Sequence, residues 1–429
     1  MPTMASTLYR FLLQDGLTSP VSSFATLNQI YFALATTSAL AAATLPFLRA
    51  SVLSYGKLDS TPSASSAKST KKNPSTPHGN WIKTIKSLQV PKVWFSHFYV
   101  FATFWMLYCT FDLWVYSSPA VVFPPTSISY STKTTVIRNS PAVLTSTRHY
   151  WSLLTLLNYL GIMPAHIPLP ASAHHSTATT NEPFIVRAWT PPPHVLLTMA
   201  CYLFQVIRRW YESWFVERPS VAAKIHVTHY IVGITFYSAM APSTWIDAYE
   251  AWIKQGAATG PAGNITTASV MLPQDSMLLG LNGQCLLGLM VFIWASWHQY
   301  NCHVILANLR PKPVKKDDKP KGQDYKVPSG DWFQYMVAPH YSAEMLIYLS
   351  LYLMASSSPL TSNSSTAPTL LCAWGWVVVN LGIVARETDQ WYRTRFGDRY
   401  ATIGSPTGAA KASRSGRGPR RYILIPFVY

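Results

Sequence analysis

Charged residues are scarce in this chain of 429 amino acids: Asp, Glu, Lys and Arg together make up 12%. A soluble domain carries about 25%, so an ordinary soluble globular protein is excluded. The hydrophobic share of 49% also excludes a disordered polymer. Acids are the scarcer sign, 17 against 34 Lys and Arg, which gives a formal net charge of +17. No basic stripe accompanies a soluble module, and a nucleic-acid partner is not expected.

Cysteine motifs and phosphate-binding motifs are also missing. The five cysteines are an odd number without CxxC spacing and lie in apolar stretches, which supports neither a disulfide framework nor a zinc site. No metal site is predicted. Neither GxGxxG nor GxxxxGK[ST] occurs, so neither a Rossmann fold nor a P-loop supplies a phosphate site.

Long apolar runs are what the chain has instead. A helix needs about 20 mostly apolar residues to cross a bilayer, and seven runs come near that length. The sequence therefore predicts an all-α polytopic membrane protein with about seven transmembrane helices. The predicted spans are Ile30 to Leu48, Val93 to Tyr116, His194 to Ile207, His226 to Ala241, Leu279 to Trp297, Ala343 to Ser356 and Pro368 to Ala385.

Basic residues are distributed unevenly between the loops. With seven spans, 28 of the 34 Lys and Arg residues fall on one side of the membrane. The positive-inside rule makes that side the cytosol and the N-terminus lumenal. An eighth apolar run, Tyr150 to Met163, would divide the basic loops between the two sides, and its short length fits an interfacial or re-entrant segment. The net charge is mainly a topology signal, with some excess available for a phosphate-rich ligand.

These spans divide the chain into four regions. Residues 1–29 are predicted to be a lumenal segment, and 30–118 hold the first two spans with a cytosolic low-complexity loop at 59–80. Residues 119–192 are predicted to be a lumenal loop with a possible interfacial segment, and 193–429 hold the remaining spans. The first span is predicted to stay uncleaved, because its apolar run continues past the Ala-rich stretch.

Ionisable residues inside spans are costly and therefore functional candidates. Two acids fall within the predicted spans, Asp112 and Glu344. Asp112 lies near the lumenal end of its span, where an interfacial position would explain it. Glu344 is either a favourable acid at a helix N-terminus or a hydrogen-bond acceptor facing a cofactor amide. His226 and His229, three residues apart, could line a polar cavity, pack together or form half of a metal site.

The densest polar stretch follows the fifth span, at residues 298–310. Helical spacing places Gln299, Cys302 and His303 on one face, with Arg310 further on. Polar residues at a helix end often serve as interfacial anchors. Here, however, they are followed by a Lys-rich loop and an aromatic Pro/Gly turn at 325–335, which could hold a flat, anionic ligand at the membrane surface.

In combination, several motifs resemble the steroid 5-alpha-reductase superfamily, and within it the polyprenol reductase branch. The likeness covers about 55–429 with gaps at the low-complexity segments. Its residues are Tyr55 to Lys57, Val90 to Tyr99, Arg208-Arg209-x-x-Glu212, His226 to Gly233, His298 to Arg310, Val327 to Tyr335, Pro339 to Glu344, Trp391-Tyr392 and Ile425 to Tyr429.

This resemblance implies a seven-helix enzyme of the endoplasmic reticulum membrane with its cofactor site and C-terminus in the cytosol. It would use NADPH to reduce the alpha-isoprene double bond of polyprenal, giving dolichal and dolichol for protein N-glycosylation. The implied partners are a polyisoprenoid lipid substrate and membrane lipids, without an obligate protein partner.

The same resemblance makes residues 193–429 the C-terminal catalytic region and implies the site residues. Two candidates are implied for the catalytic donor that polarises the substrate carbonyl, His229 and Tyr341. The implied cofactor contacts are Arg209, Gln299, His303, Arg310, Tyr325, His340, Glu344 and Tyr392.

The chain departs from the family pattern at three places. His340 stands where the family usually has Asn, and Asp389 stands where it usually has His. A Gly/Ser/Arg-rich insertion at about 401–419 precedes the terminal motif and is predicted to be a surface loop.

Other functions stay open at this stage. A steroid or fatty enone reductase would share the cofactor half, although the Cys302-His303 pair and the opening of the second span, Ser96 to Tyr99, favour the polyprenol branch. A membrane methyltransferase would instead bind S-adenosylmethionine. A lipid carrier predicts broken spans in two related halves, and no such pair occurs. The substitution at Asp389 also leaves room for an inactive homologue.

Overall fold

Helices dominate the described part of the chain, which contains seven long α-helices in a computed structural model. They are α1 Pro20–Thr44, α2 Phe95–Ser117, α3 Pro193–Tyr211, α4 Val227–Ser243, α5 Gly283–Asn308, α6 Pro339–Ala355 and α7 Thr366–Phe396. Four short strands accompany them: β1 Gln89–Pro91, β2 Ala120–Val122, β3 Phe184–Val186 and β4 Lys224–His226. The described residues are 20–46, 48–49, 88–117, 120–122, 184–186, 192–218, 223–246, 281–310, 326–357, 366–397 and 422–424.

Each apolar run predicted to span the membrane overlaps one of these helices, so the mostly helical fold is confirmed. One of the helices in the described ranges, α7, is long and apolar enough to cross a membrane by length and composition. The count of seven spans stays a prediction. The eighth run, 150–163, and the low-complexity segments at 59–80 and 401–419 lie outside the described residues.

The closest pair of helices is α5 and α6. The reason is Gly288: a Cβ at this position would lie 2.8 Å from Met354 Cγ and 3.0 Å from the Ser350 carbonyl oxygen. Glycine therefore lets the two backbones approach further than any other residue would. At the start of α5, the Asn282 side chain accepts a 2.9 Å hydrogen bond from the Cys285 amide and caps the helix.

A two-stranded ribbon joins the starts of α2 and α4. Strands β1 and β4 pair antiparallel, with Val90 opposite Ile225, and the Val227 amide donates to the Leu88 carbonyl at 2.9 Å. The ribbon brings the first turns of the two helices together. It thereby fixes the position of Tyr99, which lies one turn into α2, relative to α4.

Polar contacts attach α1 to the rest of the bundle. Gln29 donates to the Thr369 hydroxyl on α7 at 3.0 Å, and Asn28 donates to Ser243 at the end of α4 at 3.2 Å. Beyond α1, Arg49 pairs with Glu387 of α7 at 2.5 Å. Elements far away in sequence thus hold α1 in its first half and the chain just beyond its end.

The chain's last described residues, Tyr422 to Leu424, form what we call the C-terminal clasp. The amide of Val337 donates a hydrogen bond to the carbonyl of Tyr422 at 2.8 Å, and the amide of Ala338 donates to the carbonyl of Ile423 at 3.3 Å. The hydroxyl of Ser342 donates to the carbonyl of Leu424 at 2.6 Å. The clasp therefore binds the two residues that precede α6 and a side chain in the first turn of α6.

Candidate functional site

Three helices meet at a group of polar side chains that we call the polar cluster. Helix α3 and the turn after it contribute four members, α5 contributes two and α6 contributes one. The members are Gln205, Arg208, Arg209, Glu212, Gln299, His303 and Glu344.

Glu344 is the acceptor at the α6 side of the cluster. The side-chain amide of Gln299 donates to its Oε2, and the amide of Gln205 reaches the same oxygen at 3.2 Å. Gln299 also donates to the backbone carbonyl of His340 at 3.3 Å. The Glu344 carboxylate therefore binds amide groups from two other helices.

Arg208 connects this amide group with the acid that follows α3. Its guanidinium donates to Gln205 Oε1 at 2.6 Å and also to Gln299 Oε1. The other guanidinium nitrogen donates to Glu212 Oε1, one helical turn away. Arg208 thus fixes the orientation of both glutamine amides, because their oxygens accept and their nitrogens are directed to Glu344.

Arg209 forms a second ionic group on the other side of Glu212. Its guanidinium donates to Glu212 Oε2 and lies 3.0 Å from Glu217 and 2.8 Å from Nδ1 of His303. That histidine nitrogen is 2.6 Å from Glu212 Oε2. With a proton on Nδ1, the histidine donates to the Glu212 carboxylate; without that proton, Nδ1 accepts from the Arg209 guanidinium.

A π-helical turn, Glu212–Val216, makes this arrangement possible. In a regular α-helix, residues five apart point in different directions. The wider turn brings Glu212 and Glu217 to the same guanidinium. Such turns are frequent at functional sites.

The same residues have the spacing of a metal site. The ligand atoms of Glu212, Glu217 and His303 lie within 4.8 Å of one another. Arg209, however, contacts all three ligands, so a guanidinium provides the positive charge that a metal ion would bring.

Electrostatics keep Glu212 ionised although its side chain is fully buried. Burial alone would raise the pKa of this carboxyl. The charge of Arg209, the bond from His303 and the charge of Arg208 together lower the pKa below its ordinary value of 4.5. The carboxylate is thus the anion around which the two arginines are arranged.

Tyr99 of α2 borders the cluster. Its hydroxyl accepts a 3.0 Å hydrogen bond from Arg209, whose guanidinium carbon lies 4.8 Å from the ring centroid. Tyr237 packs edge-on against the same ring, with centroids 5.8 Å apart. The half-buried ring therefore contacts both a cation and an aromatic residue.

His340 and Tyr341 begin α6 next to the cluster. Nδ1 of His340 is buried and has no hydrogen-bond partner among the described residues. The rings of His340 and Tyr341 are 4.1 Å apart. Tyr341 also interacts electrostatically with Tyr392 of α7 and with Arg209. The unsatisfied nitrogen marks a place where a ligand could supply the missing partner.

The structure thus brings together most of the site residues predicted from the sequence. Arg209, Gln299, His303 and Glu344 lie in the cluster, and the residues bordering it are His340, Tyr341 and Tyr392.

Other predicted residues have different surroundings. Arg310, exposed at the end of α5, donates to the Arg218 carbonyl. His229 lies in the first turn of α4, three residues after His226. Tyr325 lies outside the described residues. Asp389, at the position of the usual family His, is buried and accepts a 2.7 Å bond from Arg393.

Several members of the cluster were missed as site residues. Gln205 lies within a predicted apolar span, where polarity alone was the available signal. Arg208 and Glu212 belong to the motif Arg-Arg-x-x-Glu, whose spacing suits an i,i+4 pair. Glu217 is not a cluster member but contacts Arg209. No pattern in the sequence pointed to this contact, because it depends on the π turn.

Chemically, the cluster combines two regions. The first, around Glu344, offers amide groups and a carboxylate, which suit a neutral amide ligand. The second, around Glu212, is an ion-pair network in which Arg208 and Arg209 are matched by two carboxylates, Glu212 and the neighbouring Glu217. A ligand with several negative charges would find its uncompensated cations elsewhere, at exposed arginines such as Arg310.

Comparison with known proteins adds a family to this geometry. Residues 269–403, which include α5, α6 and α7, match the family model of 3-oxo-5-alpha-steroid 4-dehydrogenase. Polyprenal reductase 1 of Oryza sativa subsp. indica is 28% identical over 356 residues, which are 79% of this chain and 86% of that protein.

Two further relatives align over a shorter stretch. Polyprenal reductase 2 of Oryza sativa subsp. japonica is 33% identical over 46% of this chain and 55% of its own length. Polyprenal reductase of Homo sapiens is 30% identical over 44% of this chain and 51% of its own length. The alignment thus spans about half of each of these two proteins.

Proposed function

Because the chain belongs to the steroid 5-alpha-reductase superfamily, we propose that it uses NADPH to saturate the alpha-isoprene double bond of polyprenal. The product would be dolichal, which feeds the dolichol required for protein N-glycosylation. Support comes from the polyprenal reductases of plants and animals to which the chain is similar.

One observation carries the proposal: Glu344 accepts bonds from the amides of Gln299 and Gln205. A nicotinamide carboxamide has the same donor and acceptor groups as a glutamine amide. Glu344 and the two glutamines would hold that carboxamide and orient the ring, and the unsatisfied Nδ1 of His340 would bond to the same ligand. The donor set therefore fits a nicotinamide cofactor.

Phosphate groups of the cofactor need positive charge that is not already neutralised. Arg208 and Arg209 are paired with Glu212 and Glu217. Arg310 is exposed, and the ion pairs found among the described residues do not include it. Its planar guanidinium suits an oxyanion, so Arg310 would bind phosphate at the rim of the site.

The reaction requires a hydrogen-bond donor at the aldehyde oxygen of the substrate. The bound cofactor would supply a hydride to the beta carbon, and the double-bond electron pair would then place negative charge on the carbonyl oxygen. A proton added at the alpha carbon completes the saturation. A fixed donor facing the carbonyl lowers the barrier by stabilising that charge.

Tyr99 is the residue best placed to be this donor. Its oxygen accepts a bond from Arg209, and its own proton has no acceptor within the described part of the chain. Tyr341, a candidate from the sequence, also interacts electrostatically with Arg209 and is the second choice. His229, the other candidate from the sequence, lies in the first turn of α4 and is the third choice.

A membrane location follows from the same proposal. The seven helices would span the endoplasmic reticulum membrane with the site facing the cytosol, as the distribution of basic loops indicates. Large apolar side chains are more than half exposed on the helices, among them Phe104, Met290 and Ile293. Lipid contact would explain their exposure, and the isoprenoid tail would lie in the bilayer beside them.

Microsomes containing this chain, supplied with polyprenal and either NADPH or NADH, provide the test. We expect a mass gain of two hydrogens at the alpha-isoprene unit, faster with NADPH, and at least about 100-fold less product from a Glu344→Gln variant. A Glu387→Gln variant, which removes a partly exposed acid paired with Arg49, is the control. Absence of product from the intact chain would contradict the proposal.

A steroid 3-oxo-4-ene is the alternative substrate, favoured by the description of the matching family model. The same microsomes are therefore assayed with a steroid enone. Reduction of the steroid without reduction of polyprenal would assign the chain to that activity.

A further inference from the structure

A second polar contact lies on α5 next to the cluster but outside it. Nδ1 of His298 is 2.7 Å from Oδ1 of Asp331, the first residue of a 3-10 turn, Asp331–Gln334. The same oxygen accepts the amide proton of Trp332 at 2.6 Å. The imidazole and the Trp332 indole stack, with centroids 4.4 Å apart and planes 21° apart. His298 thus contacts both of the turn's first two residues.

The backbone of this turn is unusual at Asp331. Its φ is 44°, the one positive value at a non-glycine residue in the described ranges, and Gly330 before it has a φ of 94°. A side chain disfavours this left-handed conformation. Such a residue persists where its surroundings hold it, and here two contacts hold the Asp331 side chain: the local bond from the Trp332 amide and the bond to His298 on α5.

The turn leads directly to the proposed cofactor residues. Phe333, within the turn, is 1% exposed, and its ring lies 6.1 Å from that of His340. The residue after His298, Gln299, donates to the backbone carbonyl of His340 at 3.3 Å. Two consecutive residues of α5 therefore hold the two ends of the segment from Asp331 to His340.

We propose that His298 and Asp331 are a positioning pair. Their bond fixes the turn Asp331–Gln334 against α5, and the turn in turn sets the positions of His340 and Glu344 relative to α5. The pair acts through the segment 331–340, and its bond is made to the turn rather than to the polar cluster. Its consequence for cofactor binding rests on the proposed function, whereas its effect on the turn does not.

Hydrogen–deuterium exchange of the segment 331–345 tests the lock without an assay of activity. The His298→Phe variant keeps a ring to stack on Trp332 but loses the bond to Asp331. We expect exchange in this segment to accelerate about tenfold in the variant, while exchange in α1 and α7 is unchanged. Adding Asp331→Gly to His298→Phe removes the disfavoured side chain and should restore part of the protection.

A matched control removes another histidine contact. Nδ1 of His97 lies 3.3 Å from the Tyr230 hydroxyl at the starts of α2 and α4, away from the turn in sequence. His97→Phe should leave exchange in 331–345 at the intact chain's rate. If His298→Phe does not fold, Asp331→Ala is measured instead, because it deletes the same bond and keeps the disfavoured Cβ; the same acceleration of exchange in 331–345 is expected.

Kinetics give the second readout. We expect His298→Phe to raise the KM for NADPH about tenfold and to change kcat less than about threefold, because a displaced pocket binds the cofactor less well. Unchanged exchange in 331–345 would overturn the positioning pair whatever the activity. If His298→Phe accelerates exchange in 331–345 but the intact chain reduces neither polyprenal nor a steroid enone, the positioning pair is supported and only the proposed function is overturned.

Discussion

The side-chain amide of Gln299 donates to the carboxylate of Glu344, so an acid at the start of α6 binds a side chain from the middle of α5. Glu344 bonds to glutamine amides on two other helices. The contact lies between the two helices that Gly288 allows to approach closely. Close packing and the polar contact thus occur at one interface.

An exchange of these two side chains tests the pair. Gln299→Glu alone places two carboxylates in contact and should destabilise the protein by about 3 kcal/mol. The double variant with Gln299→Glu and Glu344→Gln restores one amide beside one carboxylate, so stability should largely return. Thermal unfolding in detergent measures both. Because the carboxylate then lies on the wrong helix for the cofactor, polyprenal reduction should stay low. A double variant as unstable as the single one would contradict a direct pair.

Glu212 should be the acid whose loss is most damaging to stability. Glu212→Gln leaves Arg208 and Arg209 without their shared carboxylate in a buried place, and breaking such a pair costs about 3–5 kcal/mol. The control Glu387→Gln removes a partner of the partly exposed Arg49 and should cost at most about 1 kcal/mol. Equal losses in the two variants would show that the arginines do not depend on Glu212.

The pH dependence of stability follows from the same carboxyl. Its pKa in the folded protein lies below the ordinary 4.5, so the unfolded chain binds the proton more readily. The stabilisation is complete above about pH 4.5 and is lost as the pH falls towards the folded pKa. Thermal unfolding from pH 7 down to pH 4 and below should show a steeper loss for the intact chain than for Glu212→Gln. Parallel curves would assign the acid sensitivity to other carboxyls.

Sequence patterns predicted the helices far better than the contacts between them. Each apolar run overlaps a helix because burial of apolar side chains and helix length are both local properties of sequence. The charges of Arg208, Arg209 and Glu212 also lie within one short motif. The sequence pattern did not predict the π turn, which brings Glu217 into contact with Arg209. Pairing of Gln205 with Glu344, 139 residues later, depends on how α3 and α6 pack.

The C-terminal clasp should be needed for the start of α6. Leu424 is 4% exposed and lies near Gly382 of α7. Leu424→Ala should cost about 2–4 kcal/mol through loss of buried contacts. Removal of the chain after Arg421 also deletes the bonds to Val337, Ala338 and Ser342. We expect the truncated chain to unfold at lower temperature than Leu424→Ala. A truncated chain as stable as the intact one would show that the clasp does not stabilise the start of α6.

The hydroxyl groups of Tyr99 and Tyr341 can be compared directly as donors to the aldehyde oxygen. Tyr99→Phe keeps the ring on Arg209 and removes the proton, so kcat for polyprenal should fall about 100-fold or more, as for loss of one donor to a developing oxyanion. Tyr341→Phe should lower kcat by less than about tenfold, and His229→Gln by less still. Cofactor binding, followed by quenching of tryptophan fluorescence by NADPH, should be the same in all three variants if, as proposed, each side chain acts on the substrate aldehyde. A large kcat loss in Tyr341→Phe with near-normal turnover in Tyr99→Phe would transfer the donor role to Tyr341.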